Sequence, residues 1–160
     1  MAAPIKAGKL ADDELLIVRT FNAPLALVWR IWEDHDHMQA WWGPEGFTCT
    51  DLDLDFRPGG AWRVGMVSAV YGKSWSSGKF REIEKQKRIV FTFAWEEGSG
   101  ETTQTLVTVT FEEREGKTVQ RFHQTPFSTV EYRDGHVVGW NTHFDKEQAY
   151  AERLAKGEKP

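Results

Sequence analysis

The residues able to do chemistry in this chain are few, and most are badly spaced for it. His35 and His37 flank Asp36 and suggest a pair of metal ligands. On a helix, side chains two apart point roughly 200° away from one another, so these imidazoles cannot share an ion. His136 and His143 lie seven apart and can share a helical face, but no third ligand is placed beside them. Asp51, Asp53 and Asp55 alternate as along one strand face; a solvated outer surface with Asp55 paired to Arg57 accounts for them. No metal and no cofactor is expected. There is no Gly-x-Ser-x-Gly elbow, and Cys49 sits between Thr48 and Thr50 without an adjacent base, as a buried, inert thiol would. Gly59-Gly60 lacks the Lys-Ser/Thr of a phosphate-cradling loop and marks a hairpin turn.

Rings are what the chain has in abundance. Its 160 residues hold 8 Trp, 10 Phe and 3 Tyr. At 40% apolar and 28% charged the composition is that of one globular domain, long enough to bury roughly 70% of its unfolded surface. A net charge of −4 with no basic block argues against a nucleic-acid phosphate binder. A single cysteine excludes an internal disulfide. No apolar run approaches the ~18 residues of a membrane span, and the first residues have no signal-peptide pattern, which predicts a cytosolic protein.

The elements that position these rings follow from periodicity. Residues 1–13 read as a loose lead-in and 14–157 as one domain. A β-branched, apolar run over 14–21 predicts a strand. Asn22 as cap and Pro24 in the first turn then open a short helix over 24–33, with Leu25, Val28, Trp29 and Trp32 on its apolar side. Asp34 caps a second, 35–42, ended by Gly43-Pro44. From residue 46 the period is two. Leu52, Leu54 and Phe56 share a face, as do Trp62, Val64 and Met66 after the turn at 57–60. A turn-rich connection over 71–78 leads to a strand at 79–84. Ile89, Phe91, Phe93 and Trp95 face one way, then Val107, Val109 and Phe111, and a last strand spans 118–125. Ser128 with Glu131 fits a capping box before a long helix to about residue 156. Gly139, just before Trp140 in that helix, suggests a close approach that a methyl group would overpack.

This order, with Phe21-Asn22-Ala23-Pro24, Trp41-Trp42-Gly43-Pro44, residues 55–62, Gly78 with Glu82-Ile83, residues 106–109 and Gly139-Trp140, resembles the START-like (SRPBCC) superfamily. Within it the chain is similar to the proteins related to the activator of heat-shock-protein-90 ATPase. The resemblance implies an α+β helix-grip fold. A curved antiparallel sheet of about six to seven strands wraps a long C-terminal helix, and an elongated apolar cavity lies between them.

On that fold the rings have two readings. They are either a filled core or the walls of a cavity of at least ~300 Å³. In the second, Trp62, Met66, Phe93, Trp95, Trp140 and Phe144 line it, with Trp41, Trp42 and Tyr71 near the mouth. The last strand has two phases: with Phe122 inward, Gln120 and Gln124 join the cavity; with Val119 inward, Arg121 and His123 do. The family pattern favours Phe122, making Gln120 and Gln124 the specificity groups. The first functional reading is a binding protein for an apolar or aromatic small molecule, without chemistry. The second is a protein-interaction module serving the chaperone, although 160 residues are too few for the eukaryotic activator's second domain. The third is a polyketide cyclase- or hydrolase-like enzyme, for which His123, Arg121 and Tyr71 are the inward-capable groups. Oligomeric state is not legible in these residues.

Overall fold

The computed structural model describes residues 10–159; most of the lead-in lies outside them. Strand β1 (Leu15–Phe21) is followed by helices α1 (Leu25–Glu33) and α2 (His35–Trp41). Six strands come next: β2 (Phe47–Leu54), β3 (Ala61–Ser68), β4 (Gly72–Glu84), β5 (Arg88–Trp95), β6 (Thr105–Arg114) and β7 (Lys117–Thr125). Helix α3 (Val130–Ala155) closes the chain. All seven strands form one antiparallel sheet in the order β1-β7-β6-β5-β4-β3-β2, so α1 and α2 carry the chain from one edge to the other. This is the helix-grip fold, with α3 running close to β1, α1 and α2 while standing off from β3, β4 and β5.

Register settles which side chains face the helix. Ile17 pairs with Phe122, Phe122 with Val109 and Val109 with Ile89; the neighbouring row is Leu15, Gln124, Val107 and Phe91. Phe122, Gln120 and Gln124 are therefore inward and buried. Arg121 and His123 face outward, toward Glu112 and Glu14 at 3.3 Å and 3.1 Å. In β2 the parity changes between Cys49 and Leu52, because Thr50 is an extra residue in the ladder to β3. The bulge keeps Cys49, and then Leu52 and Leu54, on the core side.

Local expectations fail in four places. Asn22 does not cap α1: Pro24 precedes it without a side-chain bond, and the Asn22 N–H donates to Glu152 instead. The expected connection over 71–78 is extended, and β4 starts at Gly72; its serines and lysine pair across to β3 despite their turn-like composition. Helix α3 is capped by Thr129, which accepts from Tyr132 N–H, because the Ser128 hydroxyl is already bound to the Glu101 carboxylate. The fourth is Gly139, where no packing partner exists: a Cβ there, or at Gly135, meets nothing within 4 Å. No described helix is long and apolar enough to cross a membrane.

Candidate functional site

Where α3 stands off from the sheet, a cleft of about 500 Å³ opens. Trp42, Met66, Phe93, Trp95 and Trp140 wall it, and Gly135 and Gly139 leave the helix backbone bare along one side. Tyr71 and Phe47 stack at its mouth, their rings within 4° of parallel. Ser74, Ser76, His136 and His143 supply polar surface. Rings with a few polar groups are the usual make-up of a small-molecule site.

Hydrogen bonds hold the walls in place, since a buried indole needs an acceptor. Trp140 Nε1 donates to Gln124 Oε1 at 2.8 Å, and Gln124 Nε2 donates to Thr105 Oγ1 at 2.8 Å. Trp95 Nε1 donates to His136 Nε2 at 3.0 Å, while His136 Nδ1–H donates to the Tyr132 carbonyl at 2.7 Å. That pair of bonds fixes a neutral imidazole, and burial holds the His136 pKa down. The end of the cleft is built by the loop after α2, pinned to α3 three times. Gly43 N–H donates to His143 Nε2 at 3.0 Å, Glu45 N–H to Thr142 Oγ1 at 2.9 Å, and Lys146 Nζ to the Phe47 carbonyl at 3.0 Å. Gly43 makes this turn at φ +123°, a conformation that favours glycine, which gives Trp41-Trp42-Gly43-Pro44 a physical role.

Six of the residues picked from sequence line this cleft: Trp42, Met66, Tyr71, Phe93, Trp95 and Trp140. Trp62 lies deeper, against Phe91 and Phe93, with its Nε1 on the Thr92 carbonyl at 3.1 Å; beside it is an apolar void of only about 20 Å³. Trp41, Phe122 and Phe144 are sealed in the core. Gln120 and Gln124 point inward, but each amide is already matched within the protein, which corrects the picture of two groups waiting for ligand. Gln124 orients Trp140, and Gln120 belongs to a separate buried cluster. There Trp32 Nε1 donates to Gln120 Oε1 at 3.0 Å and to Glu147 Oε2 at 2.9 Å, and Gln120 Nε2 donates to Glu147 Oε1 at 3.0 Å.

Of the two residues with the most unusual electrostatics, sequence reasoning missed Glu147 and weighed His143 only as a metal ligand. Burial pushes the Glu147 carboxyl up to about 8. Burial, and then the Lys146 charge, hold the His143 imidazole well below its usual value, so it is neutral. A signal existed: Gly135, Gly139 and His143 recur at intervals of four, one stripe on α3. Cys49 is buried and its thiol is raised to about 11, again by burial. Among the described residues no three His, Cys, Asp or Glu side chains converge as metal ligands would.

Comparison with known proteins agrees with the geometry. The sequence profile of the family described as "Activator of Hsp90 ATPase homolog 1-like protein" matches residues 22–152. No curated protein matches in sequence. Among solved structures, a protein from Chromobacterium violaceum superposes with a TM-score of 0.81 at 22% identity, covering 89% of this chain and 99% of its own. The AHSA1 protein from Silicibacter pomeroyi gives 0.78 at 23%, covering 91% and 99%. A Rhizobium leguminosarum protein gives 0.73 at 26%, covering 88% and 94%.

Proposed function

Taking as premise that the chain belongs to the family of Activator of Hsp90 ATPase homolog 1-like proteins, we propose that its cleft binds an uncharged, largely aromatic small molecule without transforming it. The observation that carries this is the unfilled space itself: about 500 Å³, walled by rings whose N–H groups are mostly occupied by protein acceptors. An apolar guest therefore meets apolar surface, which is worth about 25 cal/mol per Å² buried. Binding without chemistry is favoured by the committed state of the cleft's His136, both of whose ring nitrogens are engaged. A cytosolic setting belongs to the same reading and rests on the single cysteine.

The test is a tryptophan-fluorescence titration with 2-acetylnaphthalene, in the native chain and in Gly139→Leu, whose side chain would project into the cleft. Saturable binding to the first, abolished in the second while its thermal melt stays cooperative, is the expected result; equal binding to both sinks the proposal. The family's name supports a second reading, a chaperone cofactor. No more than marginal stimulation of heat-shock-protein-90 ATPase is expected on adding this chain. Several-fold, saturable stimulation would promote that reading over the first.

A further inference from the structure

His143 is a polar group of the cleft whose hydrogen bonding is left incomplete. It is only 3% exposed, on the face of α3 that lines the cleft. Its Nε2 accepts from the Gly43 N–H, and a backbone N–H is a donor only. In the neutral imidazole the hydrogen must then sit on Nδ1. That Nδ1–H has no hydrogen-bond partner among the described residues. The atom is not one of the fully sealed polar atoms left without a partner, so it opens on the cleft, where water or a ligand can accept from it. The Trp42 ring stands edge-on to the imidazole at 4.5 Å between centroids, and its Nε1–H is likewise without a partner among the described residues. Every other donor on the cleft's indole and imidazole rings is taken: Trp95 by His136, His136 by Tyr132, Trp140 by Gln124.

We propose that His143 Nδ1–H is the specificity group of the cleft, donating to a neutral acceptor oxygen, of the ketone type, on an aromatic ligand. The inference rests on the cleft being a binding site and names what it selects. A carboxylate fits the seat less well, because its charge would be buried among Trp42, Trp140 and Phe93 while the nearby cations are already engaged, Lys73 with Asp51 and Lys146 with the Phe47 carbonyl. A pure hydrocarbon fits poorly too, because it would bury the N–H unmatched. An uncharged oxygen satisfies the donor at no such penalty. The bare backbone at Gly135 and Gly139 leaves room for the flat remainder of the molecule alongside.

The probes are 2-acetylnaphthalene and 2-isopropenylnaphthalene, which share a shape and differ by C=O against C=CH2. Each is titrated into the native chain and into His143→Phe, and the quantity read is the ratio of the two affinities. The ratio should favour the ketone about three- to tenfold more in the native chain than in the variant, the fold-change of one net hydrogen bond. If both probes bind and the ratio is the same in the two chains, the role of His143 is refuted while the cleft remains a binding site. If neither binds the native chain, both readings fall. Should the variant not fold, imidazole nitrogen NMR on the native chain decides. The free protein should show His143 protonated at Nδ1, with the Nδ1–H resonance moving downfield on addition of the ketone and not of the hydrocarbon. Protonation at Nε2, or equal shifts with both probes, overturns the proposal.

Discussion

Gly139→Ala separates two accounts of the long helix. The sequence places a glycine beside Trp140 and suggests that the helix needs it for close packing, so that alanine would destabilise. The structure has no neighbour for the new methyl group within 4 Å. What remains is helix propensity: glycine in a helix interior is roughly 1 kcal/mol worse than alanine. For a domain of this size 1 kcal/mol shifts the melting temperature by about 2–4 °C. Gly135 has the same open surroundings, so Gly135→Ala should add a similar increment, and the double variant should gain about 2 kcal/mol unless the two methyls, one turn apart, touch. The assay is a reversible thermal melt with a urea series to confirm the sign. A melting temperature lower than that of the native chain for Gly139→Ala would refute the reasoning and restore the tight-packing account. A gain would mean that this helix carries two glycines at a cost in stability, in the stretch where it borders the cleft.

Two further outcomes follow from other parts of the fold. At Gly78 a Cβ would lie 1.8 Å from the Thr92 carbonyl oxygen and 2.8 Å from Trp62 Nε1, so Gly78→Ala must part β4 from β5; urea unfolding should show a loss of about 3 kcal/mol or more, and a change under about 0.5 kcal/mol would contradict the geometry. For Glu147, burial raises the folded pKa from 4.5 to about 8, so the folded chain holds a proton that the unfolded chain has released. Its stabilisation is complete below about pH 4.5 and fades as pH rises through about 8, whereas the depressed His143 pKa removes stability as pH falls below 6.5. Above pH 6.5 only the first trend remains. Native stability should decline by about 2 kcal/mol between pH 6.5 and 8 and level off above that, and Glu147→Gln should flatten the decline; an unchanged slope in the variant would dismiss Glu147 as its source.

Elements were legible where one physical signal governs them. Period-two runs gave β3, β5 and β6 their inward faces, while β7 had two possible phases and only the family pattern chose between them; Asp34 could be read as a cap because its carboxylate accepts from His37 N–H, the local bond that such a residue makes. Boundaries failed where a tertiary partner outbid the local rule, as at Ser128, taken by Glu101 from another hairpin, and at β4, whose polar stretch is a strand because its neighbours are strands. The cavity wall was legible in part for the same reason. Alternation tells that Trp62 and Phe93 point inward, and helical spacing that Trp140 does; neither tells which inward side chains meet space and which meet each other. That depends on where α3 stands off from the sheet, a distance set by residues far apart in sequence. Glu147 and Gln120 show the limit most clearly, since each is an implausible core residue until Trp32 is placed between them.

The two halves of α3 do different work. Its C-terminal half is fastened to the first third of the chain: Arg19 reaches Asp145 and Asn141, Tyr150 meets His37 at 2.6 Å, Glu147 meets Trp32, and Glu152 accepts from Asn22. Those contacts fix the helix against β1, α1 and α2. Its N-terminal half faces β3–β5 across side chains alone, with two glycines where a packed helix would present bulk. Trp95, His136, Trp140 and Gln124 brace that gap without closing it. A helix anchored at one end and braced open at the other gives a cleft whose walls do not depend on a guest to stand. The energy of the buried polar cluster around Glu147 is thus spent at the closed end, where it can hold the helix in place, and the apolar rings are left uncovered at the open end, where a ligand can use them.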